Sequence, residues 1–397
     1  MKDTTTGDHT VHPALRGSLR PPNLAELINF SPGPTSLPKA VEEKIAARFQ
    51  QPGLTSLALS HRSPEFLKIL EHATDAVRRV MDIPNDYEIL FTHGGGHGQF
   101  AAVPLNLCSN LSDSATYVVN GTWSKRAFDE AGRYCKAQAI EARDPLTGSY
   151  NCFPDLAQAT IDPRSKFIFL CSNETVNGIE LHRLPRLPAA SRHIPLVVDA
   201  SSDFTTKPID WIGDNVGVLF ACASKNIGHP GVTVTVVRKD LLGNPSPLCP
   251  GVFNYTINAE AANLWNTTAT FNVDVVGLMM DWIQGEGGVA ALERRSIAKS
   301  NLIYEVIDSS GGFYGTPVKD RSLRSRMNVP FNIKGGDAKW TDRFIIDCWE
   351  QGMVGLRTLT PFGAGEYLRA SLYNGISEQD ALKLASFMKR FASTSTC

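Results

Sequence analysis

The chain has 397 residues, with 39 Lys and Arg against 40 Asp and Glu for a formal net charge of −1. That balance supplies no overall field to draw nucleic acid or an anionic membrane surface, so neither is expected as a partner and ligands must be recognised by local sites. No apolar run reaches the roughly 18 residues a membrane span needs, and none of the 8 cysteines forms a CxxC pair, so a protein of the reducing cytoplasm is expected.

In chain order, residues 1–28 are polar and proline-punctuated, which predicts a flexible tail leading into the turn-rich Asn29-Phe-Ser-Pro-Gly-Pro34. Helices are predicted over 38–49 and 64–81, the second with Phe66, Ile69, Leu70, Ala73 and Val77 at helical spacing. Strand-like runs at 88–92, 115–119, 166–170, 194–198, 216–221 and 232–237 alternate with helix-length segments. Such alternation predicts an α/β large domain over 29–285, with a mostly parallel sheet covered on both faces. A long helical stretch over 271–309, broken near Gly285 to Gly288, leads into 286–397. There, strands at 326–331 and 367–373 alternate with helices near 339–351 and 377–391, predicting a smaller α+β domain.

The chemistry-bearing residues fall at strand ends. Lys225, in Ala223-Ser-Lys-Asn-Ile-Gly228, follows one apolar strand, and Asp199 closes another. A lysine there is either a snorkelling side chain or an amine poised to bind an aldehyde. With a carboxylate at a neighbouring strand end, the pair suits pyridoxal 5′-phosphate, whose pyridinium nitrogen needs an acid partner. His93-Gly-Gly-Gly-His-Gly98 follows a strand and opens a helix, a natural phosphate cradle. It lacks the pattern of a dinucleotide loop, and its glycines are expected to give no helix that would align His93 and His97 on a metal, so no metal site is predicted. Trp123 and the segment Ser172-Asn-Glu-Thr175 also follow strands. Trp123 is either core or a platform for a planar ring, and convergence of all these segments on one crevice favours cofactor binding.

Together with Ser60-His-Arg62, Asn266-Thr267, Arg326-Met-Asn-Val-Pro-Phe331 and Arg369-Ala-Ser-Leu-Tyr-Asn374, these motifs resemble the phosphoserine aminotransferase family over residues 29–391. The resemblance implies a fold-type I pyridoxal-phosphate enzyme, with Lys225 carrying the cofactor, Asp199 on the ring nitrogen, Trp123 stacked on the ring and Thr175 at its hydroxyl side. It implies that Gly96, the backbone of His97 and Ser224 hold the cofactor phosphate, joined by Asn266 and Thr267 of the second subunit of a homodimer. It further implies that His61, Arg62 and Arg369 bind substrate carboxylate and phosphate, and that the reaction runs between glutamate and 3-phosphohydroxypyruvate. The alternatives are the same chemistry on another acidic 2-oxo acid, or a relative that binds cofactor without catalysis.

Three departures bear on this. His97 stands where the family usually has arginine, and Ser224 where it has glutamine. Ahead of Arg369, the family's Gly-His-Arg segment is missing from 356–368; Arg357 is the candidate replacement and Glu366 adds a negative charge. Weakened recognition of a dianionic substrate is therefore expected.

Overall fold

The computed structural model describes residues 26–356 and 365–394. A short strand β1 (Ile28–Asn29) precedes helices α1 (Lys39–Gln50) and α2 (Pro64–Val80). α2 starts where Ser63 Oγ accepts the Phe66 N–H at 3.3 Å and Pro64 fills a position whose N–H would have no helical partner. Its Phe66, Leu70, Ala73 and Val77 are buried, as the periodicity predicts.

Next come β2 (Tyr87–Thr92), α3 (Gly95–Leu107), β3 (Ser114–Val119), α4 (Thr122–Ala131) and β4 (Lys136–Glu141). They are followed by β5 (Ile168–Cys171), the hairpin β6 (Asn173–Glu174) and β7 (Ile179–Glu180), then β8 (Leu196–Asp199), β9 (Val216–Cys222), β10 (Thr233–Arg238) and the short α5 (Tyr255–Glu260). The expected helical spacers are absent between β4 and β5 and between β7 and β8, where turns and one 3-10 turn carry the chain. Pro145, Pro154 and Pro163 interrupt the first segment, and Pro185, Pro188 and Pro195 the second, so neither can sustain a helical hydrogen-bond ladder.

The main sheet has seven strands in the order β2-β10-β9-β8-β5-β3-β4. β9, β8, β5, β3 and β4 run parallel, while β10 is antiparallel to both β9 and β2. Residues of β3, β5 and β8 are all buried, because the sheet is covered on both faces. Alternate side chains enter opposite cores: Val198 and Leu219 pack on the side of α2, Val197 and Phe220 on the side of α3 and α4.

Helices α6 (Thr270–Gly285) and α7 (Gly288–Ser309) break at Gly287, whose φ of +97° ends one helical path and starts the next. Beyond them lie β11 (Tyr314–Gly315), β12 (Asn328–Ile333), α8 (Ala338–Glu350), β13 (Met353–Val354), β14 (Leu368–Ser371) and α9 (Glu378–Thr394). Strands β11, β12 and β14 form an antiparallel sheet. β1 pairs in parallel with β13, and Phe30 joins the core formed by α7, α8 and α9, so the N-terminal segment packs on the C-terminal region. Among the described residues no helix is long and apolar enough to cross a membrane.

Candidate active site

At the carboxyl ends of the parallel strands lies a cavity of about 390 Å³. β8 delivers Asp199 to it, β9 leads to Ser224 and Lys225, and the turn after β5 brings Asn173 and Thr175. The start of α4 brings Trp123, and the start of α3 brings Gly94 to His97. This is the crevice where open α/β sheets bind ligands, since strand ends aim several backbones at one point.

Lys225 is half-buried, less enclosed than a strand-end position suggests, because it lies in the turn beyond β9. Its ammonium donates to the Pro32 carbonyl and sits 5.8 Å from the centre of the Tyr373 ring. Thr35 Oγ1 donates to the Lys225 carbonyl at 2.8 Å, and Asn226 Nδ2 to the Ser202 carbonyl at 3.0 Å, fixing the turn on both sides. Gly33 has φ +131°, a conformation that favours glycine, and a Cβ there would stand 3.0 Å from Lys225 Nζ and crowd it. Asp199 is buried, and burial pushes its carboxyl up to about 6; hydrogen bonds from Ser201 and the charge of Lys225 oppose the shift, and Asp203 adds to it. Its Oδ1 accepts the Ser201 N–H at 2.9 Å.

Gly95 and Gly96 lie within α3, contrary to the expectation that the glycines would exclude a helix, which places His97 in its first turn. Gly94, with φ +88°, supplies the left-handed corner that aims the first-turn N–H groups outward without a side chain in the way. The His97 ring stands edge-on to Trp123 at 5.7 Å between centroids. Burial and the Arg126 charge push its pKa down, against the charge of Glu130.

Trp123 Nε1 donates to Thr175 Oγ1 at 2.8 Å, and Arg369 Nη1 to the Thr175 carbonyl at 2.8 Å. Arg369 is buried, its Nε has no partner among the described residues, and burial lowers its pKa. Glu174, read from sequence only as part of a motif, is wholly buried; burial pushes its carboxyl up to about 7, against hydrogen bonds from Ser124 and the Trp123 N–H. Asn173 lines the cavity as part of the expected Asn173 to Thr175 turn, while Ser201 and Cys222 also line it and were not singled out. Their positions at strand ends were the available signal.

Five expected site residues do not line this chain's cavity; Arg369 is one, reaching it through its bond to the Thr175 carbonyl. His61 is half-buried with Nε2 unpartnered among the described residues, and Arg62 is exposed. Asn266 is half-buried and Thr267 exposed, on the segment between α5 and α6. Arg357 lies outside the described residues, while the Glu366 N–H donates to the Gly336 carbonyl at 2.9 Å.

The donor set fits pyridoxal phosphate: an amine for the aldehyde, a buried carboxylate for the ring nitrogen, an indole for the ring, and a helix start cleared by glycines for the phosphate. The class-V aminotransferase family model matches residues 27–384. The chain therefore belongs to the class-V aminotransferases, fold-type I transaminases that depend on pyridoxal phosphate. It is 38% identical to a probable phosphoserine aminotransferase of Caenorhabditis elegans, over 92% of this chain and 96% of that protein. It is also 38% identical to the phosphoserine aminotransferase of Drosophila melanogaster, over 92% and 98%. The pyridoxal-phosphate-bound phosphoserine aminotransferase of Trichomonas vaginalis matches with a TM-score of 0.84 at 31% identity, covering 91% of this chain and 99% of that one.

Proposed function

We propose that this transaminase moves an amino group between glutamate and 3-phosphohydroxypyruvate, giving phosphoserine for serine biosynthesis, and that it works as a cytoplasmic homodimer. The observation that carries the reading is the meeting of Lys225, Asp199, Trp123 and the α3 start in one cavity, with the buried Arg369 guanidinium bonded to its wall. The names of the relatives support the substrate.

In this reading the N–H groups of Gly96 and His97 and the Ser224 hydroxyl hold the cofactor phosphate, Trp123 covers the ring, and Thr175 Oγ1 meets its hydroxyl side. The Asp199 carboxylate keeps the ring nitrogen protonated. The bound cofactor supplies the electron sink for charge left at the substrate Cα. Lys225 would hold the cofactor through its aldehyde, and its freed Nζ would carry the proton taken from the substrate Cα to the cofactor carbon that bore the aldehyde. Arg369 grips the substrate carboxylate, for which its planar fork offers two parallel donors. His61 and Arg62 bind the acidic groups of the substrate. Asn266 and Thr267 reach the neighbour's cofactor phosphate, and their place outside this chain's own cavity is in keeping with that.

The missing Gly-His-Arg segment favours a broader taste for acidic 2-oxo acids. A panel of 2-oxo acids with glutamate as donor tests the reading. The expected result is the highest kcat/KM for 3-phosphohydroxypyruvate. One lost charge-assisted hydrogen bond is worth about 1.5–3 kcal/mol, so the preference for phosphoserine over serine should stay well below that of a site with all its cations. A higher kcat/KM for an unphosphorylated acid would overturn the assignment.

A further inference from the structure

Beneath Trp123 lies a carboxylate that the chemistry above does not use. Glu174, at the end of β6, turns both oxygens toward the first turn of α4. Oε2 accepts the Trp123 N–H at 2.9 Å, while Oε1 accepts the Ser124 N–H at 2.7 Å and the Ser124 hydroxyl at 2.6 Å. Ser124 Oγ in turn accepts the N–H groups of Asn120 and Gly121, each at 3.1 Å. α4 follows Gly121, which has no side chain to cap the helix, and Glu174 stands where a capping side chain would.

Gly121 has extended backbone at φ −174°, which any residue adopts, so its conformation does not call for glycine. Space does: a Cβ at 121 would fall onto the Glu174 carboxylate, 2.5 Å from Oε2. The other end of Trp123 is tied to the next residue along, through Nε1 and Thr175 Oγ1 at 2.8 Å. Backbone and indole of Trp123 thus both hang from the dipeptide Glu174-Thr175.

We infer that Glu174 is the positioning residue of this site, fixing the first turn of α4 through the Trp123 and Ser124 amides and so setting the indole against the cofactor. This rests on the proposed reading of Trp123 as the residue that covers the cofactor ring. A carboxyl group suits the task because its two oxygens take three donors at once, where an amide keeps only one acceptor oxygen. Gly121 is part of the same device, as the gap the carboxylate fills.

The test measures cofactor affinity of the cofactor-free protein, visible circular dichroism of the loaded protein, and amide hydrogen exchange without cofactor, in Glu174→Ala, Glu174→Gln, Trp123→Phe, Gly121→Ala and their pairs. Glu174→Ala should weaken cofactor binding by about ten- to hundredfold, with a smaller loss for Glu174→Gln. It should also speed exchange at the Trp123 and Ser124 amides while leaving the central strands protected. On the Trp123→Phe background its effect should shrink to less than about threefold, the signature of action through Trp123. Gly121→Ala should mimic Glu174→Ala and add nothing to it. Equal effects of Glu174→Ala with and without Trp123, or wild-type affinity and dichroism in both Glu174 variants, would overturn the inference while leaving the role of Trp123 standing. Wild-type affinity and dichroism in Trp123→Phe would instead overturn that role, and this inference with it. Should Glu174→Ala fail to fold, the cycle of Glu174→Gln with Trp123→Phe decides alone.

Discussion

The two ends of the cavity are built differently. At the proposed cofactor end, Asp199 closes β8, Ser224 and Lys225 follow β9, Trp123 opens α4 after β3 and Thr175 follows the short β6 after β5, so all meet at one edge of the main sheet within one chain. At the substrate end, Arg369 reaches the wall from the C-terminal sheet, whereas His61 and Arg62 sit between α1 and α2 and line no part of this chain's cavity. If the proposed roles hold, the difference teaches that the sheet fixes the chemistry, while substrate choice is left to groups carried by separate elements. Fine changes there, such as the missing Gly-His-Arg segment, can shift specificity without disturbing the cofactor.

The sharpest way to break this comparison is at Lys225. Lys225→Ala should lose the cofactor's visible absorbance band and reduce transamination by roughly 10³-fold or more, with little change in Tm, because among the described residues this side chain makes one hydrogen bond, to the Pro32 carbonyl. Lys299 makes the contrast. It is buried and donates to the carbonyls of Leu372, Tyr373 and Ile376 at 2.7, 2.9 and 2.9 Å. Lys299→Met should cost about 3 kcal/mol of stability by chemical denaturation and leave the absorbance of the folded enzyme intact. A spectrum lost through Lys299 and kept without Lys225 would reverse the two assignments.

Next in size, Asp199→Asn should keep cofactor but lower kcat by about a hundredfold, since an amide cannot hold the ring-nitrogen proton. Asp199 titrates at about 6 in the cofactor-free protein against 3.8 ordinarily. Between those values the folded protein holds a proton that the unfolded chain lacks, so this group's contribution to stability is lost as pH rises through about 6. Cofactor affinity moves the opposite way, falling as pH drops below about 6 and the carboxylate is neutralised. Titrations across this range should show the fall in wild type and its absence in Asp199→Asn.

The smallest effect belongs to the substrate end. Arg369→Lys replaces a planar fork by a point charge and should raise KM for both amino donors by about tenfold. Cofactor affinity should change less than about twofold, because among the described residues the Arg369 side chain meets the cavity wall through the Thr175 carbonyl at 2.8 Å. Equal losses in KM and in cofactor binding would show that the two ends are not separable.

Much of this was legible in the residues. β3, β5 and β8 are buried on both faces and read as strand-like runs rich in apolar residues, and the break at Gly287 was visible in the helical pattern. β4 was missed because its Lys-Ala-Gln-Ala-Ile-Glu run at the sheet edge is exposed or half-buried throughout, as edge strands are. Glu174 was passed over as an acid among polar neighbours; only folding sets it against α4, 50 residues earlier in the chain. The bond from Lys225 to Pro32 joins residues 193 apart, a distance over which local pattern carries no information. Strand-end chemistry is thus readable because a strand announces its own end, whereas contacts between distant segments are made by the fold.

The most direct test of the central claim is a half-reaction. Cofactor-loaded protein is mixed rapidly with phosphoserine or with serine, and the cofactor's absorbance is followed through a single turnover. The account predicts fast conversion by phosphoserine, recovery of the starting spectrum on adding the 2-oxo acid of glutamate, slower conversion by serine, and none in Lys225→Ala. Conversion by serine as fast as by phosphoserine, or an unchanged rate in Lys225→Ala, would contradict it.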